Sequence, residues 1–499
     1  MMRDNSESFD YEPLTRPRPR STAIADGDEG FAKPTAWAPE EPARRPVFKE
    51  EPPPSNEVTP SVNEVFEPLK ATTFEATFNE TLPKPASTKA AEFDNSALQI
   101  LKRGHALSYL GVFLFSIMLY FRPYEWSTSL AWLSSTAFWI AVGTVAVFIP
   151  TQLGLEGNLT VRPPEVTFVL LLLLFAIISI PFSLSPDAGL TSLSDYAKVV
   201  LIFIVMVNVV RSEFRLKALL LLTFVASAIV SVSAMNDYLS GNLTMAGTRI
   251  TGSIGGIFSN PNDLALHLVT MTPLALALAM GTSNLVKKLF YVAAALIFIV
   301  GIVATSSRGG VLGLGAALLI LSLKLVRRMR VPVVIAVLVL MLGALAVAPG
   351  AFRERIFTTG DASAVSRTDD LKRSIFLAAR HPLLGVGLGN YVFYSNQAKA
   401  THNAYTQVAS ELGVFAALFY VLFIVWPLKS LLKIERETRD DHKERQKKSI
   451  YFLVLGLQAS LIGYMVSSFF ASVPYFWYAY YLVAYSIAVR RIYDSRKLA

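Results

Sequence analysis

The chain has 499 residues, of which 53% are hydrophobic and 17% charged, well below the charged share of about a quarter found in soluble domains. It contains no cysteine, so disulfide and thiol chemistry are excluded. Its apolar runs are continuous rather than alternating, which argues against a transmembrane barrel and predicts an all-α polytopic membrane protein.

The net charge of +9 is unevenly spread. Residues 1–104 hold 13 basic and 18 acidic side chains, and the remainder holds 33 and 19. The basic excess therefore belongs to the membrane part, where it reads as a topology signal rather than a nucleic-acid surface. Residues 1–100 also contain 14 of the 27 prolines, including Pro52-Pro53-Pro54. A segment so poor in contiguous apolar surface cannot offset its ordering entropy. Residues 1–104 are expected to form a disordered tail, either passive or recruiting a partner through its proline-rich pieces. The first apolar run starts near Ala106, so no cleavable signal peptide is expected.

Hydropathy predicts about twelve spans, over 105–121, 130–149, 166–184, 196–210, 216–235, 263–281, 287–304, 310–325, 332–348, 403–427, 450–471 and 475–489. They form one transmembrane domain, 105–489, followed by a short tail, 490–499. Lys102-Arg103, Arg211, Arg215, Lys217, Lys287-Lys288 and Arg327-Arg328-Arg330 all fall on one side of such a bundle. So do the run from Lys429 to Lys448 and the pair Arg490-Arg491. That side is assigned to the cytoplasm, together with both termini. The opposite side then carries its two larger loops over 236–262 and 349–402.

These external loops hold the chemistry. The first contains Arg249, then Gly255-Gly256-Ile257-Phe258-Ser259-Asn260-Pro261-Asn262-Asp263, in which Asn262 or Asp263 is expected to cap the next helix. A turn at 305–310 reads Thr305-Ser306-Ser307-Arg308-Gly309-Gly310, and Gly313 and Gly315 continue a surface suited to close helix packing. Within the second large loop, Leu371, Ile375, Phe376, Ala378 and Ala379 recur at helical spacing among charged residues, predicting a short amphipathic helix. The glycines of His381-Pro382-Leu383-Leu384-Gly385-Val386-Gly387-Leu388-Gly389 follow no strand and precede no Lys-Ser/Thr pair, so they are no phosphate loop. The loop closes on Thr401-His402-Asn403-Ala404-Tyr405. Glu411 follows nine residues after His402, about 13.5 Å further along if one helix runs through both. It then lies near the opposite face and reads as scaffold rather than as the histidine's partner.

Other chemistries fit less well. The five histidines are dispersed, so no metal site is expected. No nucleotide-binding signature is present. Membrane-embedded glycosyltransferases that use lipid-phosphate sugars often need an acid in the first external loop, where only Glu125 stands here. A transporter would show internal repeats and ionisable groups at mid-membrane, whereas the polar signal lies at the outer boundary.

Taken in order, three pieces resemble the O-antigen ligase and O-antigen polymerase superfamily of bacterial membrane proteins. They are Arg249 with Gly256-Ile257-Phe258-Ser259-Asn260-Pro261-Asn262, then Ser307-Arg308-Gly309-Gly310, then His381-Pro382-Leu383-Leu384-Gly385-Val386-Gly387 with His402-Asn403-x-Tyr405 and Glu411-Leu412-Gly413. The resemblance covers roughly residues 200–470. It implies an inner-membrane glycosyltransferase of the C-type architecture, metal-independent, inverting and without a cofactor. The donor would be an undecaprenyl-diphosphate-linked glycan, and the acceptor a hydroxyl on a glycan, a lipid or a protein. It implies Arg249 and Arg308 on the diphosphate, His402 as the base at the acceptor, and Arg367 as a further donor contact. The chemistry suits these types: arginines stabilise a leaving diphosphate, and a neutral imidazole accepts a proton near neutral pH. Ligase and polymerase share these motifs, with ligase preferred; a lipid-linked-glycan flippase is the alternative.

Overall fold

The computed structural model describes residues 88–126, 128–241, 243–245, 249–250, 258, 260–325, 335, 362–395, 400–439 and 445–498. The expected tail therefore lies mostly outside the described residues, as does all of the expected span 332–348 except residue 335. The helical part begins earlier than residue 105, because good helix formers precede the apolar run and carry the first helix back to Thr88.

The described chain is helical. In order it forms α1 (Thr88–Phe121), α2 (Pro123–Trp126), α3 (Thr136–Glu156), α4 (Pro164–Ser179), α5 (Pro186–Val209) and α6 (Glu213–Leu239). After α6, β1 (Leu243–Met245) and β2 (Arg249–Ile250) pair antiparallel in the first large loop, a small exception to the all-α expectation. There follow α7 (Pro261–Gly281), α8 (Leu285–Ala304), α9 (Arg308–Lys324), α10 (Ala362–Arg380), α11 (Ala404–Leu412), α12 (Val414–Thr438), α13 (Arg445–Ser467) and α14 (Trp477–Leu498). Several starts are fixed locally. Ser212 and Asn284 cap α6 and α8, accepting from Arg215 and Lys287 backbone N–H groups at 3.3 and 3.0 Å. Prolines occupy the first turn of α4, α5 and α7, where a missing N–H costs nothing.

Among the described residues, nine segments are long and apolar enough to cross a membrane, from Gln99–Glu125 to Lys448–Phe470. Of the twelve expected spans, 310–325 and 475–489 are not among these nine, and 332–348 lies outside the described residues apart from residue 335. Helix α9 has only 17 residues, and α14 carries Arg490, Arg491 and Asp494 along its second half. The expected span 403–427 also divides. Gly413 has φ 91° and ψ 171°, which no right-handed helix can contain, so the crossing helix starts at Val414 and α11 stands apart from it.

Helix α7 is the centre, almost wholly buried and packed against α8, α9 and α13. Small residues make the close approaches. A Cβ added at Gly310 would lie 2.7 Å from the Ala265 Cβ, and one at Gly313 would lie 2.9 Å from the Gly463 carbonyl oxygen. Lipid tails give apolar helices no reason to associate, so close packing of this kind holds them together. At one end of the bundle, charged side chains tie helix ends to each other. Arg490 of α14 meets Glu165 of α4 through two hydrogen bonds of 2.9 and 3.1 Å, Arg211 pairs with Glu156 at 2.5 Å, and Lys324 pairs with Glu435 at 2.7 Å. These are ends that the distribution of Lys and Arg assigns to one side.

Candidate functional site

The Asn260–Asn262, Ser307–Gly310 and His402–Tyr405 pieces singled out in the sequence are linked at the other end of the bundle. Asn260 caps α7, its side-chain oxygen accepting from the Asn262 N–H at 2.9 Å, and Pro261 opens the first turn. The cap is thus two residues earlier than Asn262 and three earlier than Asp263. The Asn262 Oδ1 instead accepts a hydrogen bond of 3.0 Å from the Ser307 hydroxyl. Ser307 in turn caps α9, accepting from the Gly310 N–H at 3.2 Å. Both side chains are buried. Arg308, the next residue, opens α9 and is half-buried. Phe258 is fully buried, with its ring 5.1 Å from that of His267 and 6.3 Å from that of Tyr120. Arg249 opens β2 opposite Met245, and only its place in the strand is described.

His402 stands outside any helix. Its backbone has φ 54°, a left-handed conformation that a residue with a Cβ adopts rarely. Two neighbours hold it there. The His402 N–H donates to the Ser472 hydroxyl at 2.8 Å, and the Thr401 hydroxyl donates to the Asn403 carbonyl at 2.8 Å. The cap of α11 is Asn403, whose Oδ1 accepts from the Tyr405 and Thr406 N–H groups at 3.0 and 3.1 Å. His402 therefore has no capping duty, and its ring is set by a strained turn rather than by a helix face.

Both segments rest on one stretch, residues 465–472, at the end of α13. The Ser467 hydroxyl donates to the Gly309 carbonyl at 3.2 Å, and a Cβ at Gly309 would lie 2.6 Å from the Phe470 Cβ. From the other side, the Tyr405 hydroxyl donates to the Met465 carbonyl at 2.9 Å and accepts from the Ser468 hydroxyl at 3.1 Å. Ser472 completes the set through His402. The three serines escaped the sequence reading. Their signal is faint: small hydroxyls closing an apolar run.

The glycine loop positions α11. Gly385, Gly387 and Gly389 have φ of 64°, 99° and 68°. The Val386 and Gly387 N–H groups donate to the Ser410 and Glu411 carbonyls at 2.8 and 2.9 Å, and the Val414 N–H donates to the Pro382 carbonyl at 2.8 Å. The loop thus supplies partners for the last turn of α11 and the first of α12, a structural task. Asn390 anchors its far end, accepting from the Ser185 N–H at 2.8 Å.

The expected amphipathic helix is α10, but its inner face differs from the one read off the sequence. Arg373, Ser374, Leu377 and Ala378 are buried, while Ile375 is exposed. Arg373 turns inward because its guanidinium donates to the Tyr394 carbonyl, and the Tyr391 hydroxyl donates to the Asp370 carbonyl at 3.0 Å. Arg367 lies half-buried on the same helix. Glu125 is engaged with Arg122 at 2.9 Å. Glu411 is buried, with the Gln407 amide donating to it at 3.4 Å, and burial pushes its carboxyl up to about 7. Among the described residues, no group of three or more His, Asp or Glu side chains is placed to hold a metal ion.

The fold and site define a multi-pass helical membrane protein with a polar cluster gathered at one end of its bundle. Residues 293–421 match the Wzy_C family model, O-Antigen ligase, so the chain carries a Wzy_C O-antigen ligase domain over that stretch. The match runs from within α8 into α12 and contains Arg308, Arg367 and His402, with Arg249 and Ser472 outside it. No curated protein matches the chain by sequence.

Proposed function

We propose that the protein is a membrane glycosyltransferase that moves a glycan from an undecaprenyl-diphosphate carrier to an acceptor hydroxyl at the periplasmic face of the bacterial inner membrane, in the manner of an O-antigen ligase. Members of the matched family are ligases and polymerases that act on lipid-linked glycans. The observation that carries the reading is the convergence of the Arg308 and His402 segments on residues 465–472. The basic helix ends gathered at the opposite pole support cytoplasmic termini and an external site.

In this reading the acceptor O–H gives its proton to the His402 imidazole as its oxygen attacks the anomeric carbon. The bond from that carbon to the diphosphate oxygen breaks, and the electron pair leaves with the diphosphate. Arg308 and Arg249 offset the charge that develops there, and one displacement inverts the anomeric centre. Arg367 contacts the donor from α10. Nothing in this sequence of steps calls for a metal or cofactor.

Reconstitution with a lipid-linked glycan and a set of acceptors tests the proposal. Transfer is expected in the wild type. It should fall by about two to four orders of magnitude in His402→Ala and by about two to three in Arg308→Ala. A single transfer onto core lipid or protein marks a ligase, whereas a ladder still on carrier lipid marks a polymerase. Movement of carrier across the bilayer without bond cleavage would replace both with a flippase.

A further inference from the structure

A cavity of about 550 Å³ lies beside α11, between the start of α5, the Arg122–Tyr124 turn and residues 475–477. That volume is in the range of about 300–1,000 Å³ usual for small-molecule sites. The role proposed for His402, Arg308 and Arg249 does not use it.

Its lining is unusual in two respects. First, three buried polar atoms facing it have no well-formed hydrogen bond: Glu411 Oε2, Gln407 Oε1 and the Tyr475 hydroxyl. Tyr475 is near enough to influence the Glu411 carboxyl, but the geometry between them is not that of a hydrogen bond. Each such atom carries a desolvation cost until a partner arrives. Second, apart from the buried Glu411 carboxyl, the charged side chains at the cavity are matched in pairs. Arg122 meets Glu125 at 2.9 Å and also donates to the Tyr124 hydroxyl at 2.7 Å, and Lys198 meets Asp195 at 2.9 Å. A diphosphate or a carboxylate ligand would need unmatched cations. The aromatic surfaces of Tyr124, Phe476 and Trp477 complete the wall. Unsatisfied donors and acceptors, cations already matched and flat apolar rings together fit an uncharged ring rich in hydroxyls.

We infer that this cavity binds a neutral saccharide unit, with Gln407, Glu411 and Tyr475 hydrogen-bonding its hydroxyls and the aromatic side chains packing on its apolar face. The source of that saccharide, acceptor or donor glycan, rests on the glycan-transfer reading; the binding itself does not.

Saturation-transfer NMR on the full-length protein in nanodiscs, with methyl β-glucoside, methyl β-galactoside and N-acetylglucosamine as probes, tests the site. At least one probe should receive saturation in the wild type. The signal should fall at least fivefold in Gln407→Leu, which removes hydrogen-bonding atoms, and in Met118→Trp, which fills the cavity from α1. Lys217→Ala, at a separate polar pocket, should leave it unchanged. No saturation of any probe in the wild type, or an undiminished signal in both cavity variants, overturns the inference. In transfer assays, the cavity variants should raise the KM of one substrate alone, the acceptor or the donor, which identifies the source. Saccharide binding without any transfer would reject the glycosyltransferase reading and leave this site standing.

Discussion

Ser307 donates a 3.0 Å hydrogen bond to Asn262 across 45 residues of chain, and both side chains are buried. This contact makes the start of α7 and the start of α9 one unit. The same hydroxyl caps α9, so the residue that fixes the position of Arg308 also fixes its link to the preceding motif.

A double-mutant cycle measures that link. Ser307→Ala removes a cap, worth about 0.5–2 kcal/mol, together with the contact to Asn262, and Asn262→Ala removes the same contact from the other side. Thermal unfolding in detergent should give a coupling of about 0.5–1.5 kcal/mol between them. Strict additivity would mean that the two motifs are held independently.

His402 can be separated from its backbone. Asparagine tolerates the left-handed conformation that alanine does not. His402→Asn should therefore keep the wild-type melting temperature, whereas His402→Ala should lose stability by about 1 kcal/mol. Both should lack transfer. An active, well-folded asparagine variant would show that the ring is not the base.

Gly385 and Gly157 have nearly the same φ, 64° and 66°, yet a Cβ at Gly385 would lie 2.2 Å from the Glu411 carbonyl carbon, while one at Gly157 would meet nothing within 4 Å. Gly157→Ala should cost only the conformational penalty of about 1–2 kcal/mol. Gly385→Ala should cost clearly more and should displace α11, which would appear as lost activity at temperatures where the protein remains folded. Equal melting temperatures for the two variants would mean that the glycine loop does not hold α11.

Glu411 predicts a pH dependence. It lies outside the nine candidate spans, and burial raises its carboxyl from the ordinary range to about 7. The folded state thus holds this proton more tightly than the unfolded state. The associated stability is complete below about pH 4.5 and is lost as pH rises toward and through 7. Its size is on the order of 3 kcal/mol. Glu411→Gln removes the titration, so its melting temperature should overtake that of the wild type between pH 5 and pH 8. Parallel pH profiles would show that the carboxylate is compensated in the fold.

Much of the architecture was legible because membrane spans are written in long apolar runs. The first seven spans, the amphipathic segment α10 and the close packing at Gly313 all follow from composition and spacing. Errors arose where a run does not report a break. The stretch 403–427 is apolar enough to read as one span, and only the backbone at Gly413 divides it. The reading of Glu411 as scaffold assumed a helix continuous with His402. The structure keeps Glu411 buried but removes His402 from the helix. A charged residue such as Arg373 is expected to face solvent, yet a carbonyl at Tyr394 draws it inward.

The sequence by itself determined a helical membrane protein and the order of its motifs, and it singled out the arginines and the histidine for which roles are proposed, since side-chain chemistry and hydropathy are local properties. The tertiary structure alone decided that residues 465–472 join the Arg308 and His402 segments, that Asn403 rather than His402 caps α11, and that Gln407, Glu411 and Tyr475 face one cavity. Those relations depend on hydrogen bonds and packing between residues far apart in the chain, and no local pattern encodes such distances.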